Sequence, residues 1–252
     1  RWGVASIVLI VFGWLSGCNF RLAGKDWGVV FLLSLLRAVT SFSLIIAYQN
    51  IASGVASTIH FMYPLAVALA MMFFFREKKS LLVILAVLMS LLGAALLSLG
   101  ELEAKSGNTM VGLVAACVSV FSYAGYIVGV RTTRAVQINS TALTCYVMGL
   151  GTIFYLIGAY CTSGLQLVSD GYTWLIILGL ALPATAISNI TLVQAIKYAG
   201  PTLTSILGAM EPLTAVVIGV FVFKELFTVN SAVGIILILL AVSIVVFRRQ
   251  KS

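Results

Sequence analysis

Two ionisable side chains stand alone inside long apolar runs. Arg37 is the only permanently charged residue between Trp27 and Phe75, and Glu211 the only one between Gly200 and Phe223. A charge at the centre of a bilayer costs roughly 2.5–3.5 kcal/mol on insertion scales, so such a group turns toward a partner or a polar cavity. Each lies about ten residues into its apolar run, which at a 1.5 Å rise per residue places it roughly 15 Å deep. The matched depth admits two readings. Arg37 and Glu211 form a structural ion pair, or they face one cavity and each engages one pole of a zwitterionic solute. The lone histidine, His60, adds a group that can take up a proton near neutral pH, or that a neighbouring hydroxyl simply satisfies.

Helical spacing groups smaller polar residues around these three. Thr204, Gly208, Glu211, Ala215 and Gly219 share one helix face, and all but Glu211 are small. That face is either a close helix contact or a cavity wall. The matching face elsewhere carries Ala56, His60, Tyr63, Val67 and Met71. Ser34, Arg37, Ser41 and Tyr48 share another face, and Ser119, Ser122 and Tyr126 a third. Serine and threonine in apolar helices often bond their own backbone, so each is weak evidence alone. Gly13-x-x-x-Gly17 and Gly125-x-x-x-Gly129 read as helix-packing motifs.

The elements that position these residues follow from composition. The 252 residues are 62% hydrophobic and 9% charged, with a mean hydropathy of +1.15. Soluble domains run near 45–50% apolar and about 25% charged. The bilayer is therefore the solvent, and an all-α integral membrane protein is expected. Nine spans are expected at 2–20, 27–49, 53–75, 80–99, 109–130, 141–162, 173–197, 201–223 and 229–247. The net charge of +8 then reads as orientation charge rather than a nucleic-acid signal. With the C-terminus cytoplasmic, basic residues such as Arg21, Lys25, Arg131, Arg134, Lys197 and Arg248 fall on the cytoplasmic side. Four scattered cysteines and one histidine give neither a disulfide framework nor a metal site, and no cofactor motif is present.

The chain also repeats itself. "IHFMYPLAVALAMMFFFREKKS" (59–80) aligns without a gap on "LGAMEPLTAVVIGVFVFKELFT" (207–228), an offset of 148. Pro64 matches Pro212, and Tyr63 stands where the second copy has Glu211. The same offset matches Arg37 with Thr185 and Ser41 with Asn189, so Thr185 and Asn189 are candidates for the wall opposite Arg37. Pro64 and Pro212 each remove a backbone hydrogen bond, and matching kinks would suit a paired gate. Glu77 and Glu225 read as turn or cap residues, with Ser80 and Thr228 as N-caps of the next helices. The repeats divide the chain at 1–104 and 105–252. The second holds five spans and the first four, so the parent is expected to be a ten-helix bundle of two five-helix repeats, with its first span missing here. An odd number of spans per repeat gives the halves opposite orientation, a mark of secondary transporters.

"SILGAMEPLTAVVIGVFVFKELFT" (205–228), "ISNITLVQAIKYAGP" (187–201) and the degenerate copy "STIHFMYPLAVALAMMFFFREKKS" (57–80) resemble the EamA-type families of the drug/metabolite transporter superfamily. The resemblance implies a ten-helix bacterial inner-membrane carrier of small organic metabolites, often an exporter, working by alternating access. Amphipathic solutes such as amino acids are the preferred class, because one buried cation and one buried anion suit a zwitterion. The expected substrate-binding set is Arg37, Ser41, His60, Tyr63, Tyr126, Thr185, Asn189 and Glu211, with Pro64 and Pro212 at the gate. Proton coupling, through Glu211 or His60, and homodimer formation stay open. A non-transporting membrane scaffold or sensor is the main alternative; a membrane enzyme would need clustered interfacial carboxylates or histidines that this chain lacks.

Overall fold

The computed structural model describes residues 1–75, 81–98, 107–162, 170–208, 210–222 and 229–249. Glu77, Ser80, Glu225 and Thr228, expected at turns and caps, lie outside the described residues. Among those described, every regular element is a helix: α1 Trp2–Leu15, α2 Trp27–Asn50, α3 Ser53–His60, α4 Tyr63–Phe74, α5 Leu81–Ser98 and α6 Thr109–Thr132. After a short 3-10 turn come α7 Ser140–Thr162, α8 Gly171–Ala181, α9 Ser188–Ala199, α10 Pro201–Leu207, α11 Met210–Val222 and α12 Val229–Arg249. Among the described residues, five stretches are long and apolar enough to cross a bilayer: Trp27–Asn50, Ser53–Phe74, Thr109–Thr132, Ser140–Tyr160 and Gly171–Ala199. Large apolar side chains such as Phe74, Phe121 and Leu175 are exposed, as befits residues whose solvent is lipid. The chain is an all-α integral membrane protein.

The helices fall into two compact units, Arg1–Ala38 with Gly129–Gly200, and Val39–Val128 with Pro201–Ser252. Each unit draws on both halves of the sequence.

In the first unit α1 packs on α7. A Cβ on Gly3 would meet Thr152 at 3.1 Å, and one on Gly149 would meet Ser6 Oγ at 3.1 Å. Contacts on α7 fall in number as those on α1 rise, so the two helices are antiparallel. The offset of 148 makes them counterparts, and antiparallel counterparts are what inverted repeats produce. Ser6 Oγ donates to the Cys145 carbonyl at 3.2 Å, across a core of Ala5, Leu9, Met148 and Ala186. The expected span 2–20 is helical only to Leu15. Gly17, at φ +66, ends it: its N–H donates to the Trp14 carbonyl and that of Cys18 to the Gly13 carbonyl. This double bond around a left-handed residue terminates helices and favours glycine. Gly17 is therefore a cap and not half of a packing motif, whereas Gly13 receives the Phe20 ring.

The expected span 173–197 holds a second departure. Between α8 and α9 the helix widens to a π-turn over Leu182–Ile187. Pro183 has no N–H to offer the Gly179 carbonyl, and its ring crowds that turn. The Thr185 hydroxyl donates to the Leu180 carbonyl at 3.0 Å, satisfying a group that the wider turn displaces.

The second unit contains the repeated, proline-bearing helices, and both are broken at the matched place. α3 ends at His60 and α4 begins at Tyr63; α10 ends at Leu207 and α11 begins at Met210. Pro64 and Pro212 sit in the first turn of the new helix, where a missing N–H is tolerated. α10 packs on α4, and α5 on its repeat counterpart α12. The α5–α12 approach is close: a Cβ on Gly93 would lie 2.7 Å from the Gly234 carbonyl oxygen.

Candidate functional site

In the first unit the polar residues gather on Arg37. Its guanidinium Nη2 donates to Asn189 Oδ1 at 3.3 Å, and its Cζ lies 5.8 Å from the centroid of the Trp2 ring. Asn189 is oriented in turn by its own amide, which donates to the Thr185 carbonyl at 2.8 Å. Thr185 itself lies in the π-turn, four residues before Asn189. Thr185 and Asn189, expected across from Arg37, thus support it directly: Asn189 holds one edge of the fork and Thr185 holds Asn189. Trp2 carries no polar signal in the sequence pattern, and it supplies a ring over the cation. One turn before Arg37, Ser34 is fully buried, and its hydroxyl has no hydrogen-bond partner among the described residues.

In the second unit the centre is aromatic. His60 Nδ1 lies 2.9 Å from Ser119 Oγ. The His60 ring stacks on Tyr123 at 5.4 Å between centroids and sits 5.5 Å from Tyr63. Tyr63 meets Tyr123 edge-on at 4.7 Å, and Tyr123 lies parallel to Tyr126 at 6.3 Å. Tyr123 is therefore the hub of the expected residues His60, Tyr63 and Tyr126, although it was not among them. Its signal is available: Ser119, Tyr123 and Tyr126 are spaced by four and three residues along one helix. Tyr63 is 4% exposed and seats its hydroxyl against the backbone of Gly208, in the break between α10 and α11. Hydroxyl pairs brace the same unit: Thr40 with Ser122 at 2.9 Å and Tyr48 with Ser57 at 3.2 Å. Ser41 is half-buried on α2.

The helix breaks place His60 and Glu211 at different helix ends. His60 closes α3, and Glu211 lies in the first turn of α11 with its N–H donating to the Gly208 carbonyl at 3.0 Å. A helix carries partial negative charge at its C-terminus and partial positive charge at its N-terminus. Glu211 is exposed and belongs to the second unit, Arg37 to the first.

The sequence model of the EamA-like transporter family matches residues 1–99 and 110–247. An uncharacterized transporter of Archaeoglobus fulgidus is 28% identical over 238 residues, covering 93% of this chain and 83% of that protein. A protein crystal structure shares the fold with a TM-score of 0.83 at 18% identity, covering all of this chain and 87% of the other.

Proposed function

Since the chain belongs to the EamA-like transporter family and is a membrane transporter, we propose that it is a secondary carrier of small amphipathic organic solutes, amino acids foremost. It works by alternating access in a bacterial inner membrane, with its C-terminus cytoplasmic and export as the net direction. The observation that carries this reading is the Arg37 guanidinium, set in an apolar helix and oriented by Asn189 and Trp2. A planar guanidinium fork matches a carboxylate in geometry and charge. Arg37 takes the acidic pole of the solute, with Asn189 and Thr185 as its positioning residues.

Counterflow in proteoliposomes tests the reading, with labelled zwitterionic amino acids set against their decarboxylated amines. Charge-assisted hydrogen bonds contribute about 1.5–3 kcal/mol each. Arg37→Gln is therefore expected to weaken carboxylate-bearing solutes by roughly 10- to 100-fold, and the amines far less. Wild-type rates and affinities in both Arg37→Gln and Glu211→Gln would sink the assignment.

A further inference from the structure

The first unit gathers cations at one end of its helices. Arg131 stands in the last turn of α6 and Lys197 in the last turn of α9. Arg134 opens the 3-10 turn between α6 and α7. Two of the three are tied into a frame. Arg131 Nη1 donates at 2.7 Å to the Lys197 carbonyl, one of those that a helix end leaves without an intrahelical partner. Lys197 Nζ donates to the Ile138 carbonyl, in the link to α7. The Thr133 hydroxyl accepts from the Ala135 N–H and shapes the turn that carries Arg134.

The frame leaves charge in excess. Arg134 is exposed, and its side chain makes no hydrogen bond or ion pair among the described residues. Arg131 is exposed as well, and engages one arm of a five-donor guanidinium in the frame. The acidic residues of this unit are Asp26 and Asp170. Asp26 follows Lys25 at the start of α2. Asp170 caps α8, roughly 40 Å from Lys197 along the Gly171–Ala199 span at a 1.5 Å rise per residue. Arg131 and Lys197 lie in the final turns of two stretches that are long and apolar enough to cross a bilayer, which is the depth of lipid headgroups. Tyr198, next to Lys197, is 82% exposed, and exposed tyrosines mark the membrane interface. The fitting ligand is thus an anion that arrives from the bilayer, with acyl chains along lipid-facing side chains such as Ile187.

We propose that Arg131 and Arg134 bind the phosphate of an anionic phospholipid, on the frame that Lys197 completes. Guanidinium forks give phosphate paired, charge-assisted hydrogen bonds, a match that a lysine ammonium does not reproduce. A zwitterionic phospholipid carries a cation beside its phosphate, and a patch with excess positive charge selects against it. Arg131 and Lys197 join the ends of α6 and α9, so an occupied site stiffens that junction. The site involves no solute and is independent of the carrier reading.

Native mass spectrometry of the full-length chain in detergent, with phosphatidylglycerol or phosphatidylcholine added, reads bound lipid directly. Thermal midpoints with each lipid read its effect on the fold. One phosphatidylglycerol per chain is expected to bind roughly tenfold more tightly than phosphatidylcholine and to raise the midpoint. Arg134→Lys keeps the charge and breaks no contact of the fold, yet should weaken phosphatidylglycerol by roughly tenfold. Arg21→Gln with Lys25→Gln removes two other cations of this unit and should leave that affinity nearly unchanged. Equal binding of the two lipids overturns the proposal. Wild-type affinity in Arg134→Lys also overturns it, because attraction would then follow net charge alone, as does an equal loss in Arg21→Gln with Lys25→Gln. Millimolar inorganic phosphate is expected to leave the midpoint unchanged. A rise with phosphate as large as that with phosphatidylglycerol, lost in Arg134→Gln, assigns the site to a soluble anion and overturns the lipid.

Discussion

Replacing Gly208 by alanine probes the contact that joins the two broken helices. A Cβ at this position would lie 1.9 Å from the Tyr63 hydroxyl oxygen. Real Cβ atoms essentially never come closer than 3.0 Å, so the hydroxyl must retreat by about 1 Å or the α10–α11 turn must shift. The ring has little room to yield, being 4% exposed and packed on Tyr123 at 4.7 Å. Overpacking of this kind costs about 1–3 kcal/mol. The backbone is not the obstacle, because Gly208 is absent from the positive-φ glycines. Tyr63→Phe is the control, since without the hydroxyl the nearest ring atom is Cζ at 3.2 Å, a misfit of a few tenths of an ångström. Gly208→Ala should therefore lower the thermal midpoint in detergent by roughly 2–12 °C, taking about 2–4 °C per kcal/mol. The double variant should recover at least half of the loss, a coupling of about 1 kcal/mol between contacting residues. The single-histidine NMR signal is expected to move in Gly208→Ala as well, because Tyr63 flanks His60. Equal stability of Gly208→Ala and wild type, with additive effects of Tyr63→Phe, would refute the contact.

Close approach and capping give two further outcomes. Gly93→Ala places a Cβ 2.7 Å from the Gly234 carbonyl oxygen, a backbone atom, and should cost about 1–3 kcal/mol, read as a lower thermal midpoint with no change in solute preference. Asp170 caps α8 by accepting from the Tyr172 and Thr173 N–H groups, and these bonds, that of Thr173 foremost, hold its carboxyl below the usual 3.8. Its contribution is present above pH 3.8 and fades as pH falls through the folded value. The thermal midpoint of Asp170→Ala should accordingly lie below wild type at pH 7, and the gap should narrow as pH falls below 3.8.

The parts legible in the sequence are those set by hydropathy and by the repeat. Apolar runs locate the helices to within a few residues, and an odd number of spans per repeat requires the antiparallel packing that Gly3–Thr152 and Ser6–Gly149 display. Pro64 and Pro212 mark both helix breaks because a missing N–H acts locally, whatever the helix packs against. The end of α1 was also written locally, in Gly17, but the absence of any charge before Arg21 masks it. Side-chain partnership is a different matter. Arg37 and Asn189 are 152 residues apart, and the repeat offset puts Asn189 on the wall opposite Arg37 without naming it as the partner of the guanidinium. Trp2 and Tyr123 escaped for a related reason: in an apolar chain an aromatic ring reads as filling until a cation is found beside it. The sequence therefore reveals where charge enters the membrane, and the structure reveals what makes that charge tolerable. Here those supports are an amide fixed by a widened turn, aromatic rings, and the ends of half-helices created by two prolines. Their chemistry differs between the repeats. Tyr63 and Glu211 occupy equivalent positions, yet one fills the turn beside Gly208 and the other sits at the helix end just beyond it. Matched positions in the two repeated segments thus supply both the wedge and the charge at a single helix break.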